Sequence, residues 1–303
     1  MGYLRHKYVK AYYLAEDTCG NRTPYGVAGI DDFRKGDIRK IDKDILRRVN
    51  FEGKTVLDLG CGRGEAIKFA IQKGAKKVVG VDFSEDANLI ARDFLEKHGV
   101  RADLHCQDAL SFLQSYAEHS NSQVFDIVLM LDFIEHVPRA ELTRTLMCLH
   151  RVIHRHGIVA VNTPVYPVDN DVITNGIDPR ADDFGDTFEE TFGMHCNRYS
   201  AESLQSYMAD CGFTAISGHF FVPVPFASPK KVGHRISWCL ASVQGFPIHL
   251  AAITRCELFA YADPVQASAH QRLYDGYLPR RIMRFAMRMA GRLARLVGYS
   301  SRN

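Results

Sequence analysis

The chain has 303 residues, 46% hydrophobic and 24% charged, with a formal net charge of +3. Such a composition supports one large folded domain with additions, and no apolar run approaches the ~20 residues of a membrane span. The eight cysteines are scattered without a CxxC pair, which argues against a disulfide frame or a zinc knuckle and for reduced thiols in a cytoplasm.

The N-terminal stretch lacks the apolar core of a signal peptide, and His6 stands where myristoylation needs Ser or Thr. Residues 1–50 read as a helical cover rich in tyrosine, with Tyr8, Tyr12 and Tyr13 near its front. TVLDL (55–59) is a short buried strand, EAIKFAIQKG (65–74) a helix stopped by Gly74, and KKVVGVDFS (76–84) a second strand. A helix over 85–99, a strand over 102–108, a helix from Ala109 and a strand over 125–132 follow. ELTRTLMCLHRVIHRHG (141–157) reads as one helix closed by Gly157, and IVAVNTP (158–164) as strand five. Strands alternating with helices imply βαβ units. The expected fold is therefore α/β: a Rossmann-like, doubly wound, mainly parallel seven-stranded sheet with an antiparallel edge strand, plus helical additions.

Past strand five the rhythm breaks. Residues 164–197 hold eight acids between Asp169 and Glu190 and read as a lid loop. A helix over 201–213 and strands over 214–225 and 253–262 follow, with a helical insert over 226–250 that carries the single tryptophan, Trp238. The central domain is thus expected to run over 51–263, and a basic tail over 264–303.

Three glycines, Gly60, Gly62 and Gly64, follow the first strand. Glycine costs backbone entropy on folding, so three in five positions indicate a tight turn or a close approach to a ligand. In a doubly wound sheet, ligands sit beyond the carboxyl ends of the strands, and a glycine-rich turn there exposes free N–H groups. Asp82 ends the second strand 22 residues after Gly60, where a carboxylate accepts from both ribose hydroxyls. An adenosine-containing cofactor follows. The dinucleotide fingerprint needs a glycine where this chain has Glu65, whose charge would repel a pyrophosphate.

VLDLGCGRGE resembles motif I of class I S-adenosylmethionine-dependent methyltransferases. VVGVDFS is similar to their ribose motif, CQDAL to the adenine motif, and FDIVLMLDFIEHV to motif IV and the loop behind it, so the resemblance covers 53–164. MHCNRYSAESLQSYMADCGF resembles the ubiquinone-type and natural-product branches, and YYLAEDTCG…FRKGDIRKID looks like methyltransferases tied to bacterial surface polysaccharides. The resemblance implies S-adenosylmethionine as cofactor and S-adenosylhomocysteine as product. Gly60, Cys61 and Gly62 would line its methionine part, Asp58 hold the ammonium, and Asp82 the ribose. Phe83 would lie beside the adenine, Asp108 and Ala109 would read it, and Leu131 would offer a carbonyl near the amino group. Arg63 replaces a residue that is commonly small and receives no role.

Methyl transfer is an in-line displacement in which positioning supplies much of the rate. An oxygen acceptor also needs its proton taken, for which histidine suits neutral pH. His136 past strand four, and His195 and Tyr199 past strand five, are the catalytic candidates. The spacing of His150, His154 and His156 reads as the last turn of a helix, where histidine suits the dipole, and no metal is assigned. The expected reaction is methyl transfer to a small-molecule or glycan oxygen. Transfer to nitrogen, a NAD-dependent oxidoreductase and a non-catalytic cofactor-binding module stay open.

In the tail, Arg281, Arg284, Arg288, Arg292 and Arg295 recur at helical spacing beside Ile282, Phe285, Met289, Leu293 and Leu296. An amphipathic basic helix over 279–297 is open to two readings: a peripheral contact with an anionic inner-membrane surface, or docking on its own domain or a second subunit as a homodimer. Nucleic acid is not an expected partner, because no stacking aromatics accompany the arginines.

Overall fold

A computed structural model describes residues 5–14, 29–119, 124–165, 197, 199, 201–222, 253–263 and 265. The chain forms two units, Met1–Asp263 and Pro264–Asn303. The expected basic tail over 279–297, the helical insert over 226–250, the acids of the lid loop and His195 all lie outside the described residues.

Among the described residues, three short helices, α1 (Lys10–Leu14), α2 (Ile30–Arg34) and α3 (Lys40–Leu46), precede the sheet. Then β1 (Thr55–Leu59), α4 (Glu65–Gln72), β2 (Lys77–Asp82), α5 (Glu85–Lys97), β3 (Asp103–Cys106) and α6 (Ala109–His119) alternate. The second half runs β4 (Phe125–Leu131), α7 (Arg139–Leu149), β5 (Ile153–Val165), α8 (Ala201–Asp210), β6 (Thr214–Val222) and β7 (Ile253–Tyr261). The strands form one seven-stranded sheet in the order β3-β2-β1-β4-β5-β7-β6. Neighbours from β3 through β5 are parallel, while β7 runs antiparallel to both β5 and β6.

Burial explains the strands. In β4, Ile127, Val128, Leu129 and Met130 are at most 2% exposed, as expected for a parallel strand covered on both faces. The core joins β1, β2, β4 and β5 to α6, α7 and α8 through Leu57, Phe112, Leu146, Phe213 and their neighbours. The strand order reverses at β1/β4, and that switch point opens the crevice of a doubly wound sheet.

One element differs from its sequence reading. Helix α7 ends at Leu149, and residues 153–157 belong to β5 rather than to a helix. Ile153 pairs with Phe125, and a register shift carries the ladder on to Ile127–Ile158. Val152 and Ile153 are fully buried, so burial of these β-branched side chains outweighs the helical spacing of the histidines. His154 and His156 therefore lie on a strand. His150 caps α7, its Nε2 2.9 Å from the Cys211 carbonyl and its ring stacked on Phe213.

Candidate active site

The loop from β1 into α4 is shaped by its glycines. Gly60 has φ 74°, and a Cβ there would come within 2.7 Å of the Phe133 ring. The amides of Gly60 and Cys61 donate to the Val81 carbonyl at 2.8 and 3.1 Å, tying the loop to the end of β2. Gly62, at φ 50°, donates its amide to Asp82 Oδ2 at 3.0 Å, and Ser84 donates its own to Asp82 Oδ1 at 2.9 Å. Each oxygen of Asp82 retains acceptor capacity. Burial pushes the Asp82 carboxyl up to about 6, against the lowering effect of those two amides.

Asp58 lies on β1, two residues before Gly60, and is buried behind the cleft lining. It is 2% exposed, and its Oδ2 is buried with no hydrogen-bond partner among the described residues. Burial first, then the charges of Asp82, Glu65 and Asp42, push its carboxyl up to about 8. A buried acceptor left unmatched is costly, so this position suits a cationic ligand group that would hold it ionised.

A cleft, open at its mouth, runs over the switch point. Gly60, Gly62, Val81, Asp82 and Phe83 form one wall, Gln107 and Ala109 another, and Asp132, Phe133, His136 and Val137 a third. Tyr8, Tyr12 and Tyr13 close it from the N-terminal segment. The Tyr8 ring meets Phe83 edge-on at 5.0 Å and His136 at 5.9 Å.

His136 sits in a short 3-10 turn, Ile134–His136, with its Nε2 4.0 Å from Glu135 Oε1. That gap is too long for a hydrogen bond. Glu135 is 1% exposed and accepts from Thr163 Oγ1 at 3.0 Å. Asn197 is likewise buried. Its amide donates to the Glu135 carbonyl at 3.1 Å, and its side chain donates to the Ile134 and Val137 carbonyls, stapling the turn that presents His136. Beside it, Asp132 adopts φ 49°, a conformation costing about 1–2 kcal/mol outside glycine. Its amide donates to the Asn162 carbonyl, and its carboxylate takes Arg39, which also donates to Asp42 at 2.6 Å.

A family model described as a methyltransferase domain matches residues 33–217, more than half of the chain. The chain belongs to the methyltransferase domain family. A ubiquinone biosynthesis O-methyltransferase of Pseudomonas paraeruginosa is 34% identical over 119 residues, 39% of this chain and 48% of that protein. One of Aromatoleum aromaticum is 39% identical over 94 residues, 31% of this chain and 38% of that protein. The matches thus span about half or less of these relatives' length. Two solved structures share the fold: the [4+2]-cyclase SpnF, TM-score 0.51 at 18% identity, and the YcgJ protein from Bacillus subtilis, TM-score 0.52 at 13% identity. Each is matched over 73% of this chain, and over 80% and 96% of those structures respectively.

Membership of this family stands against the oxidoreductase alternative and agrees with S-adenosylmethionine as the cofactor. The residues fit that cofactor. The unmatched Asp58 oxygen suits its ammonium, Asp82 its ribose diol, and the positive-φ glycines leave the backbone bare. The charge argument from Glu65 does not hold as made, however. Glu65 is ion-paired with Arg63 at 2.7 Å and is neutralised.

Of the residues named from sequence, Gly60, Gly62, Asp82, Phe83, Ala109 and His136 line the cleft together. Cys61 is 5% exposed, its thiol pushed up by burial, and it packs behind the loop. Asp108 caps α6 by accepting from the Ser111 amide at 2.8 Å, while its neighbour Gln107 reaches the cleft in its place. Leu131, the last residue of β4, is not among the cleft-lining residues. Tyr199 is 1% exposed, belongs to the main core and stacks on Tyr207 at 5.7 Å, away from the cleft lining. Its place in the motif is one of packing. Asp132, Gln107 and Asn197 were not named from sequence, and Arg63 received no role there; the long-range partners of Asp132, Asn197 and Arg63 lie 30 to 93 residues away.

Proposed function

We propose that this methyltransferase moves the methyl group of S-adenosylmethionine to a hydroxyl oxygen of a small molecule, with His136 taking the proton. The observation that carries this reading is the placement of His136 in the cofactor cleft, backed by the buried Glu135. The cofactor supplies a methyl on a sulfonium that leaves readily. The chain holds the acceptor oxygen in line and removes its proton as the bond forms. A histidine backed by a carboxylate suits that task near neutral pH, and an amine acceptor, once neutral, needs it less.

Asp58 holds the cofactor's ammonium, and Asp82 its ribose. Phe83, Gln107 and Ala109 enclose the adenine. The names of the O-methyltransferase relatives agree with an oxygen acceptor and suggest hydroxylated aromatic rings for the first screen. The aromatic wall of Tyr8, Tyr12 and Tyr13 agrees with a planar acceptor.

The test is S-adenosylhomocysteine release over a panel of phenols, sugars and amines, with the methylated atom assigned by mass spectrometry. O-methyl products lost in His136→Ala support the reading. N-methyl products, or undiminished turnover in that variant, overturn it.

A further inference from the structure

The described N-terminal residues, 5–14, cross the cofactor cleft as a strap, and three ties hold them. Lys10 donates its amide to Asp86 Oδ2 at 2.7 Å. Ser84 donates its hydroxyl to the Tyr8 carbonyl at 2.8 Å. Arg63 donates Nη1 to the Tyr13 carbonyl at 3.0 Å. Arg63 and Ser84 belong to the loops that shape the cofactor site, and Asp86 to the first turn of α5. Arg63 follows Gly62, whose amide Asp82 takes with one oxygen, and Ser84 gives its amide to the other.

Arg63 is an unusual anchor. It is 1% exposed, and it stands between two glycines where nothing in the turn itself needs a long side chain. Its guanidinium shares Glu65 Oε1 through Nε and Nη2, lies over the Phe33 ring at 4.8 Å, and spends Nη1 on the strap. A buried guanidinium is tolerated only when its donors are matched, and its planar fork fixes their directions. Arg63 therefore joins three segments in one rigid unit: the glycine loop, the α2 segment and the strap.

We infer that Arg63 is a positioning residue that holds the tyrosine wall over the bound cofactor by its grip on the Tyr13 carbonyl, and so sets how tightly and how long the cofactor is retained. This rests on the cofactor reading above. The strap carries Tyr8, Tyr12 and Tyr13, which form one face of the cleft, so releasing it opens that face to water. Loss of the tie weakens cofactor binding more than it slows the chemical step, because His136 and its turn are held from the other side by Asn197.

The experiment compares full-length wild type, Arg63→Gln, Arg63→Lys, Asp86→Ala and the Arg63→Lys, Asp86→Ala double variant. Arg63→Lys retains a cation beside Glu65 while giving up the reach to Tyr13, so it serves if the glutamine variant fails to fold. Asp86→Ala cuts a second tie at the rim. Binding of S-adenosylhomocysteine is measured by calorimetry, KM and kcat by turnover, and strap release by the rate of tryptic cleavage after Lys7 and Lys10. In wild type, the ligand protects those two sites. In Arg63→Lys the dissociation constant rises about tenfold, the size of one charge-assisted hydrogen bond. KM for the cofactor rises by much more than kcat falls, and ligand protection of the two sites is lost. In the Arg63→Lys, Asp86→Ala pair the losses fall short of multiplying, because both act through one strap. Losses that multiply, protection that persists, or a fall in kcat with KM unmoved would each overturn the inference. Wild type that fails to bind S-adenosylhomocysteine would instead sink the cofactor reading.

Discussion

Nε2 of His136 and Oε1 of Glu135 lie 4.0 Å apart, and Thr163 holds the other oxygen of that carboxylate. In the proposed reaction the pair would give the loop after β4 a base with a buried counter-charge. Replacing His136 with Ala should lower kcat by about 10²–10⁴-fold, the usual share of a positioned base, with S-adenosylhomocysteine affinity retained. Glu135→Gln, which can still accept from Thr163, should lower kcat by less. Steady-state kinetics beside calorimetry separates the two effects.

Asp58 couples cofactor binding to pH. Its carboxyl is pushed up to about 8 by burial, so at neutral pH the free protein holds it protonated. An ammonium ligand requires the carboxylate, so binding below about 8 expels a proton and affinity rises by up to tenfold per pH unit, levelling off above that. Calorimetry in buffers of different ionisation enthalpy should show proton release near neutral pH. Asp58→Asn should abolish both the release and the slope.

The same two acids make the ligand-free protein less stable as pH rises. Asp58 and Asp82 are raised to about 8 and about 6, above the ~3.9 of an unfolded aspartate. Between those values the folded state binds more protons than the unfolded state, so stability is greatest at the acid end of the window and falls towards pH 8. Thermal melts over pH 5–8 check the direction, and Asp58→Asn should flatten the curve.

Gly60→Ala should be destabilising in two ways. It forces a side chain into φ 74°, and it drives a Cβ to 2.7 Å from Phe133. A strained non-glycine backbone costs about 1–3 kcal/mol, enough to lower Tm by several degrees in a domain of this size. Binding of S-adenosylhomocysteine should fall as well, because Phe133 shares the cleft.

Tyr199 separates packing from catalysis. Tyr199→Phe retains the ring stacked on Tyr207 and should retain turnover, whereas Tyr199→Ala opens a core cavity and should cost about 3–5 kcal/mol. Denaturant melts and turnover on both variants test this. A dead but stable Tyr199→Phe would restore the residue to the chemistry.

The amino-acid order alone determined the αβ alternation, the glycine loop after β1 and the acid at the end of β2. Those are local: strand burial, a turn that needs positive φ, and a carboxylate at a strand end are each written within a few neighbouring residues. It also placed His136, because a loop at the carboxyl end of β4 must face the crevice. It misread 150–157, where helical spacing of histidines competed with the burial of Val152 and Ile153 against β4. Only the tertiary structure decided that Tyr199 packs in the core, that Asp108 caps a helix while Gln107 faces the cleft, and that Arg63 is buried. Arg63 reads as a surface residue until Glu65, Phe33 and the Tyr13 carbonyl surround it. A buried charge is set by partners the chain delivers from 50 residues away, and no local pattern records them.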